Sequence, residues 1–323
     1  MFETLPTRTE DLTQWDWPQF EPFAADLVSR ELTAANMEQW LKDWTAFGQC
    51  IDEQYNRLYV ATTINTADKD SETRFNHFMD VIYPKAEEAS QKLKEKLLAS
   101  GLEPRGFDVP LRNMRAEAEL FRQENLALVA EETRLAAEYD RILGSQTVEW
   151  EGTERTVSQM RPVYQDPDRA KREKAFRLTA ERQLADRQKL NELWAKFLGV
   201  RQKMAANAGK PDYRAFRWQQ MLRFDYQPND CETFHRAIEE AVVPAAGRIY
   251  ERRRKAMGLD TLRPWDLNVD PYGRAPLRPA ADVPSLIERT RAIFSKVDPQ
   301  LGEYFDIMAR EGLLDLDNRK NKA

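Results

Sequence analysis

Histidine sets the tightest limit on what this chain can catalyse. There are two, His77 and His235, far apart in the sequence. A nucleophile needs an adjacent base, and folding can bring a distant histidine to it, but no G-x-S-x-G elbow accompanies either one. His235 closes the stretch "ETFH", which puts Glu232 and His235 on one helix face at one-turn spacing, as in carboxylate-bridged metal bundles. Such a site needs a second copy of the motif, and His77 has Arg74 in the corresponding place. The sequence therefore favours a capping role for Glu232 and a helix-packing role for His77, among Phe75, Phe78 and Met79.

Other chemistries find less. No G-x-G-x-x-G or G-x-x-x-x-G-K-[ST] cradle for phosphate exists, and the 12 glycines are scattered. The basic run "ERRRKAMG", Glu251 to Gly258, is expected to be a solvated helix end that complements the helix dipole. Acidic pairs such as Glu239–Glu240 and Asp315–Asp317 are ordinary at this charge density. No catalytic residue and no metal ligand is assigned, and the substrate-binding residues are unknown at this stage. Cys50 and Cys231 are expected to be free, buried thiols rather than a disulfide.

The elements that would position a site are helical. Mean hydropathy is −0.72, yet 41% of residues are apolar, with 8 Trp, 15 Phe and 10 Tyr. That mixture predicts strongly amphipathic elements with a core to bury. A net charge of −5 gives no electrostatic reason to expect nucleic acid or an anionic membrane as partner. No basic-then-apolar leader opens the chain and no run approaches a bilayer span, so a cytoplasmic location is expected.

Apolar residues at three- and four-residue steps predict helices over 33–58, 71–100 with a kink or boundary at Pro84, and 111–143 ending at Gly144. From Asp166 as cap and Pro167 at the first turn, one stripe runs to Gly209. It carries Phe176, Ala180, Leu184, Leu190, Leu193, Trp194, Phe197, Leu198, Met204 and Ala208. Unbroken, it would be roughly 60 Å long. A short helix over 212–224 follows, then one capped by Asn229 and Glu232 with a kink at Pro244. Two last helices span 283–297 and 299–311. One segment departs from this pattern: "TVEWEGTERTV" alternates around Glu-Gly and predicts a β-hairpin near 147–157, which must lie against helices to be stable. The fold class is all-α, mainly long antiparallel helices, with one small hairpin.

Residues 118–177, with "ELF", "ENL", "EYDRILG", the hairpin and "DPDRAKREKAFR", resemble the amino-terminal domain of oligoendopeptidase F-type metallopeptidases. "MAANAGKPDYRAF", "RFDYQPND", "AVVPAAGRIYERRRKAMGLDTLRPWDL" and "LLDLDNRKNKA" are similar, in colinear order, to the first part of that family's catalytic domain, with Pro264, Trp265 and Asp266 in the expected place. The resemblance implies a division into a helical region over 1–110, a hairpin-bearing amino-terminal domain over 111–190, and the beginning of a catalytic domain over 191–323. It implies half of a channel-forming fold that acts on short unfolded peptides, with zinc held in the full-length family member by H-E-x-x-H and a later glutamate. Neither His77 nor His235 is followed by Glu, so the resemblance carries no zinc ligand onto this chain. The expectation is an amino-terminal portion that ends before the zinc helix, binds no zinc in the family manner, is inactive alone, and has the catalytic half as its partner. The alternative is a non-catalytic helical module that binds peptides or a protein.

Overall fold

A computed structural model describes residues 1–322; Ala323, the last residue of the charged closing stretch, lies outside them. In chain order the helices are α1 (Thr9–Leu12), α2 (Trp17–Ser29), α3 (Met37–Ile64), α4 (Lys69–His77), α5 (Tyr83–Ser100), α6 (Asp108–Leu120) and α7 (Gln123–Gly144). The hairpin, β1 (Thr147–Trp150) and β2 (Thr153–Thr156), comes next. Then follow α8 (Arg169–Ala185), α9 (Arg187–Asn207), α10 (Tyr213–Gln220), α11 (Pro228–Ala237), α12 (Val243–Ala256), α13 (Val283–Val297) and α14 (Pro299–Arg310). The described residues are thus helical with one two-stranded sheet. Two compact units form: Met1–Leu143 with Gln188–Cys231, and Gly144–Arg187 with Glu232–Lys322.

In the first unit the largest core gathers Phe20, Leu27, Trp40, Phe47, Phe78, Ile82, Leu93 and Leu97 from α2 to α5. Asp16 caps α2, accepting from the Trp17 N–H at 2.7 Å while the Asp16 N–H donates to Gln19 Oε1. At its other end, Lys96 Nζ of α5 donates to the carbonyls of Leu27 and Val28 at 3.3 and 2.7 Å and to that of Arg30. These are the orphan acceptors that every helix end leaves. A second cluster joins Leu120, Leu135, Leu193, Val200, Met204 and Phe216 from α6, α7, α9 and α10.

Both proline junctions are absorbed by a π turn, at Phe78–Ile82 before Pro84 and at Ile238–Val242 before Pro244. Tyr83 N–H bonds Phe78 O, and Val243 N–H bonds Ile238 O, five residues back in each case. A widened turn is where a ring that clashes one turn back and lacks an N–H costs least.

Two expected continuous helices are broken. The stretch 111–143 divides at Phe121, which is extended, and no Gly or Pro marks the break. Arg122 makes it possible: its guanidinium donates to the carbonyls of Glu119, Phe121 and Asn207, satisfying acceptors that the break frees. The long stripe from Asp166 divides at Asp186, between α8 and α9. Asp186 is buried, and its carboxylate accepts from Gln146 and Arg182, a tertiary demand that no periodicity shows. Two caps also shift. Asp168 rather than Asp166 caps α8, and α11 starts at Pro228, with Asp230 rather than Asn229 accepting from the Gln227 N–H.

In the second unit the hairpin pairs Thr147 with Thr156, Val148 with Arg155, Glu149 with Glu154 and Trp150 with Thr153. Its two-residue loop has positive φ at both positions, 52° at Glu151 and 79° at Gly152, the geometry that matches strand twist. Val148 and Trp150 are buried with Met160, Val163 and Ala175, so the hairpin lies on α8. The closing charged stretch is tied to this hairpin: Asn318 bonds Thr156 and Gln159, Lys320 pairs with Glu154, and the Asn321 N–H donates to Gly144 O. Helices α13 and α14, capped by Asp282 and Asp298, pack closely at Gly302, where a Cβ would meet Ser295 Oγ at 2.3 Å.

Candidate functional site

The residues that carried the resemblance converge on one buried ionic knot in the second unit. Asp266, fully buried, receives Arg169 in a two-point grip, Nε to Oδ1 at 3.0 Å and Nη2 to Oδ2 at 2.9 Å. Arg172 Nη2 adds a contact at 3.0 Å and the Arg263 N–H one at 2.9 Å. Arg172 also donates to the carbonyls of Trp265, Asp166 and Pro167, and Arg253 to those of Asp266 and Val269. Burial alone would raise the Asp266 pKa, but the bonds from Arg169, the Arg263 N–H and Arg172 outweigh it and hold the carboxyl below its ordinary value. Both of its oxygens are committed to protein donors. The knot therefore locks the start of α8 to the Pro-Trp-Asp turn and has no capacity left for a substrate. Arg253 of the "ERRRK" run belongs to this lock, and Arg254 pairs with Glu251, so that run is more than a solvated helix end.

The histidines are not brought together with other donors. His77 is exposed rather than packed among its apolar neighbours, and its Nε2 lies 3.1 Å from Asp16 Oδ2, bracing the cap of α2. Glu232 and His235 are both exposed. Cys50 is buried and Cys231 half-buried, and both are free thiols. No three His, Cys, Asp or Glu among the described residues form a group that could hold a metal ion, so zinc does not fit them.

A groove of ≈ 910 Å³ in the first unit offers a binding surface instead. Four helices line it, each with residues one turn apart: Tyr55 and Tyr59 on α3, Glu132, Ala136, Tyr139 and Asp140 on α7, Leu190, Trp194, Phe197 and Arg201 on α9, and Tyr213 with Arg217 on α10. Tyr55 and Tyr59 stack with centroids 6.1 Å apart. Arg201 pairs with Glu132 at 2.7 Å and rests 4.7 and 5.4 Å from the Phe197 and Tyr213 rings. Burial raises the Asp140 carboxyl pKa, and it raises the Tyr55 and Tyr213 phenols, so both phenols stay neutral donors near pH 7. Trp194 is 61% exposed although its stripe predicts a core position. Leu184 and Leu198, from the same stripe, are exposed as well. Such a lining supplies ring surface and hydrogen-bond donors for a ligand.

Two family models match the chain: one described as the peptidase M3 N-terminal domain over residues 10–106, the other as peptidase family M3 over residues 163–288. The chain belongs to peptidase family M3. Solved structures agree on the M3 fold. A structure described as an oligoendopeptidase F matches with a TM-score of 0.88 at 22% identity, over 100% of this chain. PZ peptidase A with an inhibitor matches at 0.85 and 21%, again over 100%. An oligoendopeptidase F from Bacillus anthracis matches at 0.82 and 19%, over 98%. The chain spans 57% of the length of each of these three structures. No curated protein matches it. Among the described residues no helix is long and apolar enough to cross a membrane.

Proposed function

We propose that this chain is the peptide-confining, amino-terminal part of a zinc-dependent oligoendopeptidase. Its helices wall a channel for short unfolded peptides, and the residues that grip zinc and polarise water lie outside these 323 residues. The aromatic groove of the first unit would contact the peptide. The zinc-bearing part of the M3 fold would be the partner of the second unit.

One observation carries this reading. In the second unit, residues 232–256 and 283–297 bury no side chain at all, although both stretches are amphipathic. Ile293 and Val297 on α13 are 63% and 71% exposed, and Phe234, Val242, Ile249 and Tyr304 are exposed too. Apolar helix faces of this extent are stable in water only when something covers them. The solved structures it matches are nearly twice as long, and the part that this chain does not span would supply the cover. The alternative, a non-catalytic binding module, would use these faces for another protein.

Sedimentation velocity separates the two. As a part of a larger fold, the chain self-associates as its concentration rises, and Ile293→Asp with Val297→Asp returns it to a monomer of unchanged helicity. A monomeric chain that unfolds cooperatively and excludes apolar dyes would contradict the proposal and favour the module.

A further inference from the structure

A second groove in the first unit, of ≈ 690 Å³, has a different chemistry. It opens between α6 and the segment from Lys210 through α10 to Pro228, and Arg112, Arg115, Arg214, Arg223, Trp218 and Phe224 line it. Its acidic residues are already engaged. Glu119 accepts from Lys210 at 2.9 Å and from Gln219 at 3.1 Å, and Asp212 caps α10 through the Ala215 N–H at 2.7 Å. The four arginines have no carboxylate partner among the described residues.

Two of those cations are held in place by rings. Arg112 rests 4.3 Å from the centroid of Phe224, and Arg223 rests 4.9 Å from Trp218 and 5.8 Å from Tyr226. A guanidinium over a ring gives up side-chain freedom before any ligand arrives, while its in-plane N–H donors keep their capacity for a carboxylate. Four uncompensated guanidinium groups in a chain of net charge −5 mark a local inversion of the protein's own field.

We propose that this groove binds an acidic peptide segment. Glutamate or aspartate carboxylates would engage Arg112, Arg115, Arg214 and Arg223, and the segment's apolar side chains would lie on Trp218 and Phe224. A volume within the usual range of ligand sites suits a few residues of peptide. A nucleic acid would need a basic track continuing along its backbone, and a net charge of −5 gives no reason to expect one. The site stands apart from the aromatic groove and goes beyond the reading of the chain as part of a peptidase. Its test involves no hydrolysis, so either idea can fail without the other.

Fluorescence anisotropy of a short fluorescein-labelled, glutamate-rich peptide with the whole chain provides that test. Saturable binding is expected, weakening with salt and weakening about tenfold or more in Arg112→Gln/Arg214→Gln. Arg252→Gln, which removes one charge elsewhere, should leave affinity unchanged. These side chains are exposed, so the thermal midpoint should hold. Equal affinity in the double variant, or equal binding of the glutamine version of the peptide, would overturn the proposal. Tighter, arginine-dependent competition by an oligothymidine or by inorganic phosphate would overturn it too, and would assign the groove to nucleic acid or to simple anions.

Discussion

Asp266→Asn lowers the unfolding free energy of the second unit by about 3–5 kcal/mol, because removing one partner leaves buried charge uncompensated. Arg172 is 2% exposed and would keep its charge with no carboxylate to meet it. The size of the loss reflects that orphaned cation and says nothing of how much the intact knot stabilises. Arg169 is partly exposed, so Arg169→Gln should cost much less. The carboxyl also sets a pH dependence. Its folded pKa is lowered, so its contribution is complete above the ordinary carboxylate range and is lost as pH falls through the lowered value. Urea unfolding from neutral to acid pH should show wild type and Asp266→Asn converging only at the acid end. A loss under about 1 kcal/mol in Asp266→Asn at neutral pH would remove the knot from its structural role.

Trp40→Ala should destabilise the first unit by a similar amount, about 3–5 kcal/mol, through lost transfer energy and the cavity left behind. The indole is fully buried, 5.2 Å from Trp44, and its Nε1 donates to Leu27 O at 3.0 Å. Trp40→Phe keeps most of the volume and gives up that bond. Lys96 Nζ still reaches the same carbonyl at 3.3 Å, so the loss should be nearer 1 kcal/mol. Chemical denaturation of the two variants separates packing from hydrogen bonding. Equal losses would mean that the bond, not the ring's volume, holds α2 on α3.

What was legible in the sequence were features enforced over a few neighbouring residues. The hairpin was one, because Glu151-Gly152 accepts positive φ and Val148 and Trp150 alternate. The disruptions at Pro84 and Pro244 were others. Tertiary demands were not legible. The break at Asp186 exists because Gln146 and Arg182 hold a buried carboxylate, and the break at Phe121 because Arg122 reaches Asn207. The aromatic groove escaped for a related reason. Periodicity puts Trp194 and Tyr139 on an apolar face, but it does not say whether another helix covers that face or leaves it open. The family resemblance was visible through "DRAKREKAFR" and Pro-Trp-Asp, residues that the fold uses to hold its second unit together.

The central proposal is that this chain confines peptides and leaves their cleavage to residues outside it. The most direct measurement is the rate at which the purified chain, supplied with zinc, cleaves an internally quenched fluorogenic peptide, with and without EDTA. No signal above the zinc-only blank is expected, because His77 braces a helix cap, His235 stands exposed, and no described group of donors could hold the ion. A turnover that copurifies with one zinc per chain and disappears on chelation would contradict the account.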